Sequence, residues 1–302
     1  MKIVAVVVSH NRASLLADCL TAIGAQRRPV DGVIVVDNAS TDGAADVARR
    51  HSCKPAVVAL QKNIGGAGGF AVGVHVALES GADYLWLMDD DTVPTPAVLG
   101  VLVDTVDNYP GTLDLVASRV VWTNGDDHPM NTPRHKWRAS HAEEKAAEAV
   151  GGMPIRTSSF VSMLVSSAAV RRVGLPCADM FIWNDDFEFS ARVLRGGRGL
   201  YVGSSIVEHR TAQLIGADTD PGERFYYEVR NKVWTFRVSK AFGFPDWLAY
   251  AGSTVRRWGR TISRSRKRGL LIRVGLRGLR AGLFTRPRES EAVVEAVLKG
   301  VW

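Results

Sequence analysis

Ile3-Val4-Ala5-Val6-Val7-Val8-Ser9-His10-Asn11-Arg12 decides the fold: six apolar residues, most of them β-branched, run straight into a polar turn. So short a run, without alternation, suits a strand buried on both faces of a parallel sheet. Leu15, Leu16, Cys19, Leu20 and Ile23 follow at the spacing of one helix face. The alternation then repeats. Residues 33–36, 56–60 and 84–88 read as further strands, each followed by helical spacing, with Ser40-Thr41-Asp42 and Thr95-Pro96 as helix-start signals. Strands alternating with helices predict βαβ units in a mostly parallel α/β sheet with helices on its faces.

The pattern changes after residue 120. Residues 123–157 are polar and glycine-containing, which predicts a long surface loop with a short helix near 142–149. A strand is expected at 160–165, and a helix from Ser166 or Ser167 to Val173, stopped by Gly174. A helix at 186–194 and a strand at 201–207 follow, with His209 just past the strand's end. From about residue 223 the spacing is helical and increasingly cationic.

Composition narrows the class. With 302 residues, 46% hydrophobic and 23% charged, the chain is an ordinary folded protein, not a disordered or collagen-like one. No apolar run approaches the roughly 20 residues that span a bilayer, and residues 3–8 are too short for a signal peptide. Three cysteines (Cys19, Cys53, Cys177) without C-x-x-C spacing indicate neither a zinc site nor a disulfide framework, so a reduced, cytoplasmic protein is expected. The net charge of +7 is uneven: residues 230–302 carry 17 Lys and Arg against 4 Asp and Glu. The basic portion calls for an anionic partner.

Ligands of open α/β sheets bind beyond the carboxyl ends of the strands. There the sequence places Ser9, Asn11 and Arg12, then Asp37 and Asn38, then Asn63, Gly65 and Gly66, then Asp89-Asp90-Asp91. Any one of these caps turns routinely. Four successive polar strand ends instead outline a nucleotide site. The aspartate triplet needs solvent or a cation, and alternate aspartates at a strand end suit Mg2+ or Mn2+. A second acidic cluster, Trp183-Asn184-Asp185-Asp186-Phe187-Glu188, mixes aromatics with carboxylates and suits either a general base or an acidic helix start. Gly66-Ala67-Gly68-Gly69-Phe70-Ala71 also matches a dinucleotide fingerprint, the mark of an oxidoreductase. It follows the third strand rather than the first, however, and leaves the aspartates without a task.

In this order, Val6–Arg12, Val35–Asp42, Asn63–Gly66, Asp89–Asp91 and Asp185–Glu188 resemble inverting glycosyltransferases of family 2, which have the GT-A fold. The resemblance covers about residues 3–235. Residues 63–70 and 82–91 are most similar to bacterial galactofuranosyltransferases of the mycobacterial, galactan-initiating type, and rhamnosyltransferases using dTDP-rhamnose share much of the pattern. The resemblance implies transfer of a sugar, galactofuranose from UDP-galactofuranose in the first case, to a hydroxyl of a lipid-linked or cell-surface glycan. It also implies a role for each strand-end residue. Asp37 would meet the uracil or ribose, with the Ser9–Arg12 turn beside it. Asn38, Asn63, Gly65, Gly66 and Asp90 would line the nucleotide-sugar cleft. Asp89, Asp91 and His209 would hold the metal. Asp186 would be the base, supported by Asp185, Glu188 and Trp183. Asn184 departs from the family pattern and leaves the register of the base open by one position. Residues 224–231 resemble an arginine-asparagine motif.

These readings divide the chain into a catalytic domain, 1–235, and a basic amphipathic helical extension, 236–302. Between Arg256 and Arg288 stand 12 basic residues and no acidic one, interleaved with Trp258, Ile262, Leu270, Leu271, Ile272, Val274, Leu276, Leu279 and Leu283. Such a segment suits an anionic membrane surface, giving peripheral attachment to the inner face of the cell membrane. No nucleic-acid recognition motif accompanies the charge. Residues beyond about 240 are expected to lie outside the chemistry.

Overall fold

A computed structural model of the chain describes residues 1–214 and 220–300. It opens with β1 (Ile3–Ser9), α1 (Ala13–Gly24), β2 (Gly32–Asp37), α2 (Ala44–Arg50), β3 (Ala56–Ala59) and α3 (Gly65–Glu79). Next come β4 (Tyr84–Asp89), β5 (Thr92–Pro94), α4 (Val98–Asn108), β6 (Leu115–Val121), β7 (Arg134–His135) and α5 (His141–Glu148). β8 (Gly152–Thr157), β9 (Met163–Ser166), α6 (Ser167–Val173), α7 (Asp185–Val193) and β10 (Gly199–His209) complete the sheet. Four helices follow among the described residues: α8 (Phe225–Arg237), α9 (Phe244–Arg264), α10 (Arg268–Phe284) and α11 (Ser290–Leu298).

The strand order is β3-β2-β1-β4-β9-β6-β10-β8-β7, with β5 beside β10. β3, β2, β1 and β4 are mutually parallel, β6 is parallel to β10, and β9 runs against both β4 and β6. Register brings the polar strand ends together: Ser9 lies opposite Asp37, and Val8 opposite Asp89. The period of two along β1 sorts its side chains into two layers. Val4, Val6 and Val8 join Phe70 and Val74 in one core, while Ile3, Ala5 and Val7 join Leu16, Leu20, Leu99 and Leu102 in the other.

The structure departs from the sequence reading where long-range pairing overrides local pattern. The glycine-rich segment is itself the first turn of α3. A Cβ at Gly69 or Gly73 would fall 2.5 Å from Val8 Cγ1 or 2.4 Å from Val6 Cγ1, so these glycines let the helix lie close on β1. The helix expected from Thr95 starts at Val98, because β5 pairs with the end of β10. The expected loop 123–157 contains β8, which pairs with β10. α6 begins and ends where the residues predicted, with Ser166 Oγ accepting from Ala169 N and Gly174 after its last residue.

The expected boundary at residue 235 falls inside α8. α10 packs on α8 almost backbone to backbone: a Cβ on Gly278 would lie 2.5 Å from Tyr226 O. Of the interleaved apolar residues, Leu271 and Val274 are buried against Phe225 and Val229, with Trp258, Ile262 and Leu270 packed beside them. α11 returns to the main body, where Val293 and Val294 share a core layer with Val6, and Ala178 N donates to Ser290 Oγ at 3.1 Å.

Candidate active site

The ends of β1, β2 and β4 meet in one network. Asp90 is buried, accepting from Ser9 Oγ (2.9 Å) and His10 N (3.2 Å), while Arg12 Nη1 donates to Asp90 Oδ1 at 3.2 Å and Asp91 Oδ2 at 2.5 Å. Burial pushes Asp90 up to about 6 despite Arg12. Its oxygens are therefore spent on fixing the Ser9–Arg12 turn. Asn11, at φ 53°, staples that turn to the next loop: its N donates to Ser40 Oγ (2.9 Å) and its Oδ1 accepts from Thr41 N (2.7 Å).

Beside it, Asn38 Nδ2 donates to Gly65 O and Asn38 Oδ1 accepts from Ile64 N, both at 2.9 Å, while Asn63 Oδ1 accepts from Gly65 N at 2.8 Å. Gly65 (φ +77°) has no substitute, since a Cβ there would sit 2.0 Å from Phe181 O. Gly66 has open space where a Cβ would stand. Asp37 is 3% exposed and its Oδ1 has no hydrogen-bond partner, an acceptor left open to a ligand.

Asp89, Asp91 and His209 converge, with one ligand atom from each lying within 4.8 Å of the others. His209 ends β10, its Nε2 3.0 Å from Asp91 Oδ1, while its Nδ1 faces Asn131 Oδ1 at 3.0 Å. Asn131 is itself held by donating Nδ2 to Ser159 Oγ at 3.1 Å. A histidine oriented through Nδ1 presents Nε2 to a metal. Asp91 Oδ1, buried beside His209 Nε2, completes a donor set of two carboxylates and an imidazole that fits a divalent cation. Burial and the Asp91 charge push Asp89 up to about 7, although His209 and Arg12 oppose this. Asp91 is also penalised by burial, yet His209 and Arg12 hold it below the ordinary carboxylate value. His128 packs on His209, ring centroids 4.9 Å apart, and its Nε2 meets Thr211 Oγ1 at 3.1 Å.

The second acidic cluster starts α7, and the chain enters it through strained backbone. Phe181 (φ 65°, ψ −63°) centres a γ-turn, closed by Ile182 N donating to Met180 O at 2.7 Å. Trp183 (φ 66°) and Asn184 (φ 69°) are also left-handed, costing on the order of 1 kcal/mol or more per residue. Asp185 and Asp186 follow, both raised chiefly by burial. After burial, the charges of Asp186 and Asp89 add to the upward push on Asp185. Asp186 is lowered by Lys232 and raised by Glu228, and its Oδ1 accepts from Phe187 N at 2.6 Å. Glu188 is occupied elsewhere: buried, it takes two hydrogen bonds from Arg192, at 2.8 and 3.0 Å.

The sequence reading gave no role to three residues that stand beside the site, although Glu228 lies in the 224–231 motif. Asn131 comes from an aperiodic polar stretch, where nothing but a tertiary contact marks it. Lys232 is 4% exposed, with Nζ 3.0 Å from the Phe187 ring centroid, and burial lowers its ammonium to about 7. Glu228 bridges two regions: its Oε2 accepts from Asn184 Nδ2 at 2.7 Å, and its Oε1 accepts from Trp258 Nε1 at 3.1 Å and from Arg257. The basic extension, expected to stand outside the chemistry, thus touches the start of the acidic helix through one residue.

Residues 4–171 match the family described as Glycosyl transferase family 2. The chain belongs to glycosyltransferase family 2. This family 2 chain is 30% identical over 312 residues to galactofuranosyltransferase GlfT1 of Mycobacterium tuberculosis, covering 95% of this chain and 98% of that protein. Against GlfT1 of Mycolicibacterium smegmatis it is 32% identical over 200 residues, 64% of this chain and 65% of that one. Its fold is similar to Staphylococcus aureus TarS, with TM-score 0.63 at 16% identity over 89% of this chain, which spans 45% of the TarS chain. TarS 1–349 with UDP-GlcNAc gives TM-score 0.61 at 14% identity, covering 100% of this chain and 84% of that one. GalNAc-T7 with UDP, GalNAc and Mn2+ gives TM-score 0.56 at 11% identity, covering 84% and 54%. The expected GT-A-like fold is therefore present, and the glycosyltransferase assignment displaces the dinucleotide-dependent oxidoreductase.

Proposed function

We propose that this family 2 enzyme transfers galactofuranose from UDP-galactofuranose, with inversion, to a hydroxyl of a lipid-linked or cell-surface glycan. The observation that carries the reading is the Asp89–Asp91–His209 cluster beside an unpartnered Asp37 oxygen and a buried acidic pair. Near-full-length similarity to GlfT1 supports the choice of donor. Asp89, Asp91 and His209 would hold Mg2+ or Mn2+, which when bound neutralises charge on the departing nucleoside diphosphate.

The chain's own residues supply the rest. Asp37 accepts from uracil or ribose, and the Asn38–Asn63–Gly65 turn lets backbone approach the donor. Asp186, raised by burial, takes the proton of the acceptor hydroxyl through Oδ2, since Oδ1 already accepts from Phe187 N. No covalent nucleophile takes part, so a single displacement inverts the anomeric carbon. Asp185 is the second reading for the base, favoured by its electrostatic link to Asp89.

A donor panel of UDP-galactofuranose, dTDP-rhamnose, UDP-glucose and UDP-N-acetylglucosamine, assayed with Mn2+ and Mg2+ for nucleotide release, tests the reading. Preference for UDP-galactofuranose is expected. Faster turnover of dTDP-rhamnose would reassign the chain as a rhamnosyltransferase.

The extension, residues 236–302, would hold the enzyme on the anionic inner face of the cell membrane. Among the described residues no helix is long and apolar enough to cross a membrane. α10 nevertheless exposes Ile272, Leu276, Leu279 and Leu283 along one stripe, and α9 exposes Phe244, Leu248 and Val255 among arginines. Apolar insertion plus basic charge, about 1 kcal/mol per Lys or Arg before screening, favours such a surface. Co-sedimentation should be stronger with anionic than neutral liposomes and should retain a salt-resistant fraction. Equal sedimentation with both lipids would refute it.

A further inference from the structure

We propose that Asn231 and Glu228, on one face of α8, are positioning residues that hold the strained 180–184 turn so that the acidic pair meets the acceptor. The inference rests on the reading of Asp186 as the base. Asn231 is fully buried, and its single Nδ2 serves Met180 O (2.9 Å), Ile182 O (3.0 Å) and Trp183 O (2.8 Å). Two amide hydrogens are thus shared among three carbonyls within the 180–183 turn. Only a backbone folded tightly back on itself presents carbonyls that way, and this one does so with Phe181, Trp183 and Asn184 all at positive φ.

Neighbouring groups close the clamp. Arg230 Nη2 donates to Asp179 O (2.8 Å) and Met180 O (3.0 Å), and Phe181 stacks on Tyr227 with centroids 5.4 Å apart. On the far side, Ala67 N donates to Phe181 O at 3.2 Å, tying the turn to the start of α3. Glu228, one helical turn before Asn231, fixes Asn184 by its side chain, immediately ahead of Asp185. Strained residues persist only where their surroundings over-determine them, and here α8 supplies most of the determination. Neither Glu228 nor Asn231 has to touch substrate; each acts on the placement of Asp185 and Asp186.

The test compares full-length Asn231→Asp, Glu228→Ala and Glu228→Gln with the parent, using UDP-galactofuranose and a soluble acceptor, with UDP affinity measured separately. Asn231→Asp replaces the shared donor by a group that repels three carbonyls. It is expected to lower kcat about 100-fold, the scale of an ångström-sized misplacement, with donor KM and UDP affinity within about threefold. Glu228→Ala should lower kcat similarly in kind, and Glu228→Gln, which still accepts from Asn184, should restore most of it. In an Asp186→Asn background the Glu228→Ala loss should vanish. Parental kcat in Glu228→Ala, parallel loss of kcat and UDP affinity, or a full additional loss in the Asp186→Asn background would overturn the proposal. If Asn231→Asp does not fold, the Glu228 pair decides alone. If Asp186→Asn by itself leaves transfer intact, the base reading fails, and Asp185→Asn takes its place in the same comparison.

Discussion

Asn184 Nδ2 donates to Glu228 Oε2 over 2.7 Å, and Glu228 Oε1 in turn accepts from Trp258 Nε1 at 3.1 Å. The residue that starts the acidic helix is therefore two contacts away from the arginine-rich α9. A chain ending after residue 243 would lose Arg257, Trp258 and the buried Val293 and Val294 together. Transfer to a water-soluble acceptor is expected to fall by roughly 100-fold or more, through misplacement of the turn, and the melting temperature to drop. Undiminished turnover of that shortened chain would contradict the coupling.

Asn131→Ala should weaken the cation without touching a ligand. It removes the group that fixes His209 through Nδ1, and losses of about 10- to 100-fold in metal affinity are usual for such partners. Titrating Mn2+ against the variant, with UDP present, measures this. An unaltered affinity would mean that His209 needs no orientation or binds no metal.

Asp91→Ala removes the most buried ligand and the partner of both Arg12 and His209. Metal-dependent UDP binding should disappear while the circular dichroism spectrum stays that of the parent. Retained Mn2+-dependent affinity would be inconsistent with the proposed site.

Lys232→Met gives a pH prediction with a definite sign. The ammonium lowers the Asp186 pKa against the upward push of burial, so removing it raises Asp186 further. Protonation of the base then begins at higher pH, and the acid limb of kcat should move upward by about one unit, within the range for loss of a nearby opposite charge. Because Lys232 itself titrates near 7, parent and variant should converge in alkaline solution. A limb that stays put, or moves down, would count against Asp186 as the base.

Gly278→Ala puts a methyl 2.5 Å from Tyr226 O, a backbone atom that yields only if α8 shifts. Overpacking of this kind costs about 1–3 kcal/mol. Since α8 carries Asn231, kcat should fall along with stability, although Gly278 is remote in sequence from every proposed site residue. A variant destabilised yet fully active would separate the two.

The parts legible in the sequence are those written locally. β1 declares itself by an apolar run, α6 by a serine cap and a glycine stop, and the triplet at 89–91 by its position after a buried strand. Pairing partners are not written locally. Nothing in 152–157 says that it will lie against β10, and nothing in Thr92–Pro94 says that it will form a strand ahead of the helix start read at Thr95. The same limit hid Asn131 and Glu228, whose importance comes from residues 78 and 44 positions away. It also gave Asp90 and Glu188 free carboxylates, where the folded chain binds both internally.

The sharing of Glu228 between Asn184 and α9 bears on inheritance. A chimera that grafts a relative's terminal helices onto this sheet would have to import the small-residue face of α10 and an indole and guanidinium for Glu228 at the same time. Piecemeal exchange would pass through intermediates with a loosened acidic helix. Under the proposed coupling, substitutions in the arginine-rich segment would be felt in turnover as well as in stability.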